Sequence, residues 1–433
     1  MWIAYNILFA IGFVLMLPRF LLRMRRRGGY RDRFAQRFGR YEPALRAQLA
    51  ASPRLWIHAV SVGEMYVALQ FIESFRLQEP GARFVITTVT STGRALALAK
   101  ANAADLVLYF PLDFPLFVTR ALNAIQPRML ILTEGELWPN ILRQCRTRGI
   151  PVVVINGRMT EKSARGYTLL GPLSRVVMGY LDSVFVQSVA DRRRYLALGA
   201  DPARVEVLGS VKYDIEADPD AARRAECVFK QAGWGPGAQI LLGGSTWPGE
   251  EGALAETVKR LRVNHPELRL VLVPRHAERA KAVAEELDRV GLRVLRRSTL
   301  GDSVAASPPE VLLVDTTGEL KSFYAAAHVV FVGKSLFGNR GGQNFIEPAV
   351  FGKPILVGPH LENFPGVAED FFEAGALLQI VDADTLSNQV GRLLRDPVAR
   401  TDLGRRAFDL VTRRRGVMNT TVARLRAQLK GPV

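Results

Sequence analysis

The chain has 433 residues, 48% hydrophobic and 23% charged, which excludes a disordered protein and leaves room for two or three domains with sizeable cores. Two cysteines, Cys145 and Cys227, exclude a disulfide framework, and five histidines with no His-x-x-x-His pair argue against a zinc centre. The 58 Lys and Arg against 41 Asp and Glu give a net charge of +17, which suits a nucleic acid, an anionic membrane surface or acidic substrates.

Residues 1–22 form an apolar segment with no charge before Arg19, near the length that crosses a bilayer. Between Arg23 and Arg40 follow eight arginines and one acid, Asp32. Arginines on the C-terminal side keep the main body in the cytoplasm and attract anionic lipid head groups. A cleaved signal peptide would carry its positive charge before the apolar run and small residues after it, and the reverse order stands here. Asn6 and Pro18 leave a short span, an interfacial anchor and a buried helix all open.

Beyond residue 50, apolar runs alternate with helical patterns. The first set is Leu55–Val60, Arg83–Thr88, Leu106–Tyr109, Arg128–Leu132, Pro151–Ile155, Ser183–Gln187 and Val205–Leu208. The second is Gln239–Gly243, Leu268–Val273, Leu292–Leu295, Val311–Val314, His328–Val332, Pro354–Val357 and Leu377–Ile380. Continuous runs such as Val152 to Ile155 suit parallel strands covered on both faces. Two consecutive β/α series predict an α/β chain of two doubly wound domains facing one another across a cleft, with a boundary in the polar stretch from Tyr213 to Gly237. Ligands of such sheets lie beyond the carboxyl ends of the strands, where every motif below falls.

In the first half, HAVSVGE ends at Glu64, which opens a helix after a strand and a tight turn. The helix N-terminus favours an ionised carboxylate there, the form a general base needs; the plainer alternative is that Glu64 only complements the helix dipole. TEGELWPN sets Glu134 and Glu136 at another strand end. Two such carboxylates are costly together unless one binds something, unless Thr133 is an N-cap and Glu136 its partner three residues on. In GSVKYD, Lys212 either holds an anionic group or is a solvated hinge lysine.

In the second half, GSTWPGEE presents Ser245 and Thr246 as donors to a phosphate or carboxylate. In VPRHAER, Arg275 suits phosphate or carboxylate, or pairs with Glu278 or Glu250, and His276 is at its simplest a helix-start residue. The sequence Gly341-Gly342-Gln343-Asn344-Phe345-Ile346-Glu347 reads as a strand, a glycine loop and a helix start. Free backbone N–H groups and the helix dipole predict a phosphate at Gly341 and Gly342, and Glu347, one turn down, can accept both hydroxyls of a ribose. The Gly333-Lys334-Ser335 triplet lacks the glycine five residues earlier that a P-loop needs, since His328 stands there. The arginine runs at 192–194 and 413–415 have no accompanying RNA-binding motif.

Taken in order, HAVSVGE, TEGELWPN, GSVKYD, GSTWPGEE, VPRHAER, DTTGEL and GGQNFIEPA closely resemble the 3-deoxy-D-manno-octulosonic acid (Kdo) transferases of lipopolysaccharide biosynthesis, over nearly the whole chain. The resemblance implies a GT-B glycosyltransferase of two Rossmann-like domains: a membrane anchor at 1–22, an acceptor domain at 23–215 and a CMP-Kdo-binding domain at 216–433, whose last helix stays there or packs back on the first domain. It implies an inverting enzyme, without cofactor or metal, that moves Kdo from CMP-Kdo to a lipid A precursor, lipid IVA, at the cytoplasmic face of the inner membrane. Its partners are those two substrates and an anionic lipid surface, with no nucleic acid. By the same resemblance Glu64 is the catalytic base and Glu134 and Lys212 are needed for activity. Arg275, Gly341, Gly342, Asn344 and Glu347 match the CMP-binding set, to which Ser245, Thr246 and His276 are added. Lys334, Trp247-Pro248, Gln343 and Phe345 depart from the family's commonest pattern, which bears on donor contacts more than on reaction class. The competing readings are a GT-B enzyme using another nucleotide sugar and a nonenzymatic, basic, membrane-associated nucleotide- or nucleic-acid-binding protein; the latter leaves Glu64 and Glu134 unexplained.

Overall fold

The computed structural model describes residues 1–27, 32–301, 304–305 and 307–430, without the side chains at 20, 21, 23–27 and 430. Arg31 and the side chains of Arg23, Arg25, Arg26 and Arg27 thus lie outside the described residues. The chain divides into two compact units, Met1–Val211 with Gly416–Val433, and Lys212–Arg415.

All fourteen expected apolar runs form strands. Unit 1 holds β1 (Leu55–His58), β2 (Phe84–Thr88), β3 (Leu106–Tyr109), β4 (Met129–Thr133), β5 (Val152–Gly157), β6 (Ser183–Val186) and β7 (Val205–Val207). They pair in parallel in the order β3-β2-β1-β4-β5-β6-β7. Apolar side chains on both sides of each strand leave both faces for helices to cover, which is why β1, β2, β4 and β5 are buried throughout. Trp56, Leu130 and Val152 belong to the core on one face, and Ile57, Ile131 and Val153 to that on the other. The second core takes Val417, Met418, Val422 and Leu425 of the helix Val417–Lys430, which packs on the helix Val62–Gln78. Each such aliphatic side chain contributes about 1.5–3 kcal/mol on burial.

Unit 2 holds β8 (Gln239–Thr246), β9 (Leu268–Pro274), β10 (Val294–Arg296), β11 (Val311–Leu313), β12 (Val329–Val332), β13 (Ile355–Val357) and β14 (Leu378–Gln379). Again all pairs are parallel, in the order β10-β11-β9-β8-β12-β13-β14. The strand β8 runs three residues beyond its expected end. Its register against β9 shifts between Gly244 and Thr246, where Ser245 adopts φ 53°, so that pairing resumes at Thr246 with Pro274. Such a bulge re-aims one side chain at a strand end, here that of Ser245.

The strand order reverses between β1 and β4 in unit 1 and between β8 and β12 in unit 2. Loops leaving adjacent strands on opposite sides of a sheet open a crevice at their carboxyl ends. HAVSVGE and TEGEL leave β1 and β4; GSTWPGEE and the glycine loop leave β8 and β12.

Candidate active site

In unit 1, Ser61 caps the helix Val62–Gln78. Its hydroxyl accepts from the Glu64 N–H at 3.2 Å, while Glu64 Oε2 accepts from the Val60 N–H at 2.8 Å and Oε1 from the Ser61 N–H at 3.3 Å. This reciprocal box satisfies helix-start donors that would otherwise be orphaned. The Glu64 carboxylate is therefore folded back over its own helix start and is 9% exposed. Thr133 is not the N-cap that one reading of TEGEL required. It ends β4, its hydroxyl donates to the His58 carbonyl at 2.8 Å and lies 3.3 Å from Glu64 Oε2, and the next helix, Pro139–Thr147, starts after Trp138.

Glu134 takes φ 61°, a left-handed conformation that costs a non-glycine residue on the order of 1 kcal/mol or more. Its backbone is fixed in that shape: its N–H donates to the Ile155 carbonyl at 3.0 Å, and its carbonyl accepts from the Arg158 N–H at 2.9 Å and the Tyr195 hydroxyl at 3.3 Å. Burial pushes the Glu136 carboxyl up, and the charge of Glu64 pushes it further. The like-charge neighbour identified here for Glu136 is thus Glu64, brought in from the start of the helix after β1. His58, at the end of β1, is fully enclosed; burial lowers its pKa to about 3, and its ring stacks on Phe110 at 3.7 Å.

In unit 2, Glu250 is the organising residue. It is completely buried and accepts four backbone N–H groups: Trp247 at 2.9 Å, Lys334 at 2.9 Å, Ser335 at 3.0 Å and Leu336 at 3.1 Å. One carboxylate thus ties the loop after β8 to the loop after β12. This excludes the pairing of Arg275 with Glu250, and Glu278 lies instead 3.5 Å from His276. The Arg275 side chain is exposed and has no ion pair among the described residues; its backbone N–H donates to the Thr246 carbonyl at 3.1 Å. His276 directly precedes the short helix Ala277–Arg279. Thr246 is fully buried, its hydroxyl without a partner among the described residues, whereas Ser245 is partly exposed. Lys334 Nζ lies 5.0 Å from the Trp247 ring, whose edge meets His276 at 5.4 Å. Two of the departures from the family's pattern therefore touch.

The glycine loop differs from expectation in two respects. Its helix, Ile346–Ala349, is a single turn with Glu347 second in it, too short for an appreciable macrodipole. The glycine N–H groups are also already used: Gly341 donates to Glu362 Oε2 at 2.8 Å and Gly342 to the Lys334 carbonyl at 2.8 Å. The glycines are needed for backbone shape, with φ 113° and 71°, and for close packing, since a Cβ on Gly341 would meet Asn363 at 2.6 Å. Asn344 Nδ2 donates to Glu347 Oε1 at 3.3 Å. Burial raises the Glu347 carboxyl, partly offset by Lys321 and by that bond.

Lys212 is not a solvated hinge residue. Its Nζ donates to the Asn363 carbonyl at 3.1 Å and sits 4.1 Å from the Phe364 ring. Asn363 in turn donates its N–H to the Gly341 carbonyl at 2.9 Å and its amide to the Gly342 carbonyl at 3.3 Å. The segment 360–364 thus joins Lys212 to the glycine loop. Sequence reasoning missed Glu250, Glu362 and Asn363, although Glu250 stood in a motif already singled out. Among the described residues no group of three His, Cys, Asp or Glu side chains is placed to hold a metal.

Two doubly wound sheets in one chain, each with its motifs at the reversal of strand order, make the GT-B fold. The same fold is found in Alr3699/HepE from Anabaena in complex with UDP, at a TM-score of 0.57 and 13% identity over 87% of this chain and 100% of that one. The family described as 3-deoxy-D-manno-octulosonic-acid transferase (kdotransferase) matches residues 32–215. The 3-deoxy-D-manno-octulosonic acid transferase of Bordetella pertussis is 36% identical over 389 residues, 87% of this chain and 88% of its own. That of Haemophilus influenzae is 30% identical over 402 residues, 93% and 92% of the two chains. The chain belongs to the 3-deoxy-D-manno-octulosonic acid transferases.

Proposed function

We propose that this protein moves Kdo from CMP-Kdo to a lipid A precursor, lipid IVA, with inversion, at the cytoplasmic face of the inner membrane. The observation that carries the mechanism is the fixed carboxylate of Glu64 at the carboxyl end of β1, where the strand order reverses. Among the described residues Oε1 accepts one bond only, so it retains a lone pair for a substrate hydroxyl. Glu64 takes the proton of the acceptor hydroxyl as its oxygen attacks the anomeric carbon; the bond from that carbon to the CMP phosphate breaks, and CMP leaves with the electron pair. Direct displacement inverts the anomeric carbon. Glu134, in its strained turn, orients the acceptor beside this base.

In unit 2 the phosphate reading moves from the occupied glycine amides to Arg275, Ser245 and Lys334, at the ends of β9, β8 and β12. Arg275 has no ion pair to give up among the described residues, and its fork suits a phosphate. Fixed donors aimed at the leaving phosphate act without reorganising. Glu347, held by Asn344, accepts from the ribose hydroxyls, and Lys212 holds the 360–364 segment against the glycine loop. Arginines after an apolar N-terminal helix support a cytoplasmic body on an anionic membrane.

The test is transfer from CMP-Kdo, made in situ, to tetra-acylated lipid A precursor by the detergent-purified protein, read by mass spectrometry. The wild type adds one or more Kdo masses, with EDTA present. Glu64→Gln adds none while CMP still binds. Near-normal turnover by that variant removes Glu64 from the mechanism.

A further inference from the structure

The N-terminal helix, Trp2–Arg27, has two unlike faces. One is attached to unit 1. Trp2 stacks on Tyr180 at 6.3 Å, beneath the Arg143 guanidinium at 4.6 Å. The Tyr5 hydroxyl donates to Asp113 Oδ2 at 3.0 Å, and Asn6 Oδ1 accepts from Asn140 Nδ2 at 2.8 Å. Phe9 meets Phe114 at 5.0 Å and Trp138 at 6.2 Å, and Phe13 meets Phe114 at 5.6 Å. Asp113 also accepts the N–H groups of Asn140 and Ile141 at 2.9 Å each, so the buried carboxyl that receives Tyr5 also caps the helix Pro139–Thr147.

The opposite face is exposed and apolar: Ile3, Ile7, Leu8, Ile11, Val14 and Leu15 are each more than half exposed and recur at helical spacing.

These contacts limit how the helix can meet a bilayer. Crossing the hydrocarbon core takes about 20 residues, roughly 30 Å. Attachment runs through Phe13, and residues 14–22 rise only about 13 Å at 1.5 Å per residue. Undocking would leave Asn6 without its amide partner, an expensive loss in lipid.

We propose that this helix lies in the plane of an anionic bilayer surface, its Ile3-to-Leu15 stripe in the acyl boundary and unit 1 covering its other side. The protein body takes the place of the polar face of an ordinary interfacial helix. Charge points to the occupant: in sequence, eight arginines against one acid follow the helix's apolar run between Arg23 and Arg40, and of these Arg37 is buried against Val89 and Tyr109. This inference rests on the membrane part of the proposed function and adds the topology.

The test uses the full chain with an N-terminal epitope tag. Protease added to spheroplasts leaves the tag intact, and protease added to inside-out vesicles removes it. Removal in spheroplasts overturns the in-plane arrangement while leaving membrane attachment standing. In a second arm, purified protein floats with phosphatidylglycerol-containing vesicles and about tenfold less with phosphatidylcholine alone. Ile7→Glu with Leu8→Glu, both on the exposed face, abolishes flotation at unchanged melting temperature. Flotation of the wild type with neither vesicle overturns the membrane reading itself, and undiminished flotation of the double variant overturns the lipid-facing stripe.

Discussion

Glu362 and Gly341 are joined by a hydrogen bond in which the carboxylate Oε2 accepts the glycine N–H at 2.8 Å, with Arg340 and His360 3.4 and 3.3 Å from Oε1. An anion of the protein's own thus occupies a backbone donor of the glycine loop, next to Gly342, whose N–H is bonded to the carbonyl of Lys334, a proposed phosphate ligand. Glu362→Gln keeps an acceptor for Gly341 and removes the charge. We expect CMP to bind about three- to tenfold more tightly to this variant, a modest gain because the site is solvent-exposed. Isothermal titration at low salt reads the change; an unaltered or weaker affinity contradicts a phosphate bound at Lys334 within reach of this charge.

Arg275 combines exposure with the lack of an ion pair among the described residues. Arg275→Ala should weaken CMP about ten- to hundredfold, as expected for losing a charge-assisted contact, and leave the melting temperature unchanged. A drop in melting temperature at unchanged affinity would mark the residue as structural.

Glu250 behaves in the opposite way. Removing the carboxylate strands four N–H groups in two loops, those of Ser335 and Leu336 buried and those of Trp247 and Lys334 half-buried. Glu250→Ala is expected to destabilise unit 2 by about 3–5 kcal/mol and to abolish CMP binding, with denaturant unfolding as the readout. Wild-type stability in that variant would mean that the loops hold without it.

Much of this architecture was legible because its signals are local. Continuous apolar runs mark parallel strands, so β4 and β5, and the places of Glu64 and Arg275 just beyond strand ends, follow from neighbours in sequence. Bonds across long separations leave no such trace. Nothing near Glu250 announces Lys334 to Leu336, nothing near Gly341 announces Glu362, and Asn6 reads as an awkward residue in an apolar helix until Asn140 appears beside it. The bulge at Ser245 and the left-handed turn at Glu134 escaped for a related reason: neither residue is the glycine that usually signals such backbone.

Stability should fall in mild acid. Burial, with Arg400 and Lys353 nearby, lowers the His328 pKa to about 4, and its Nδ1 accepts from the Ile240 N–H at 3.1 Å. The folded imidazole is neutral, whereas the unfolded one takes a proton near pH 6.5. The unfolded state therefore binds more protons between those values, so this contribution is complete above about pH 6.5 and is lost as pH falls towards 4. His58 acts in the same direction, down to about 3. His328→Asn should flatten the dependence of unfolding free energy on pH over pH 6.5 to 4, measured by urea titration; an unchanged slope rules His328 out as its source.

The helix Val417–Lys430 belongs to unit 1, although the whole of Lys212–Arg415 comes between it and Val211. During synthesis the Val62–Gln78 helix must wait, with Met65 and Phe71 part of an unfinished core, until the ribosome has passed Val211 and translated the whole of Lys212–Arg415 as well. Unit 2 emerges whole before unit 1 can close. A nonsense codon just after Arg415 would therefore damage the half of the protein made first and spare the half made last.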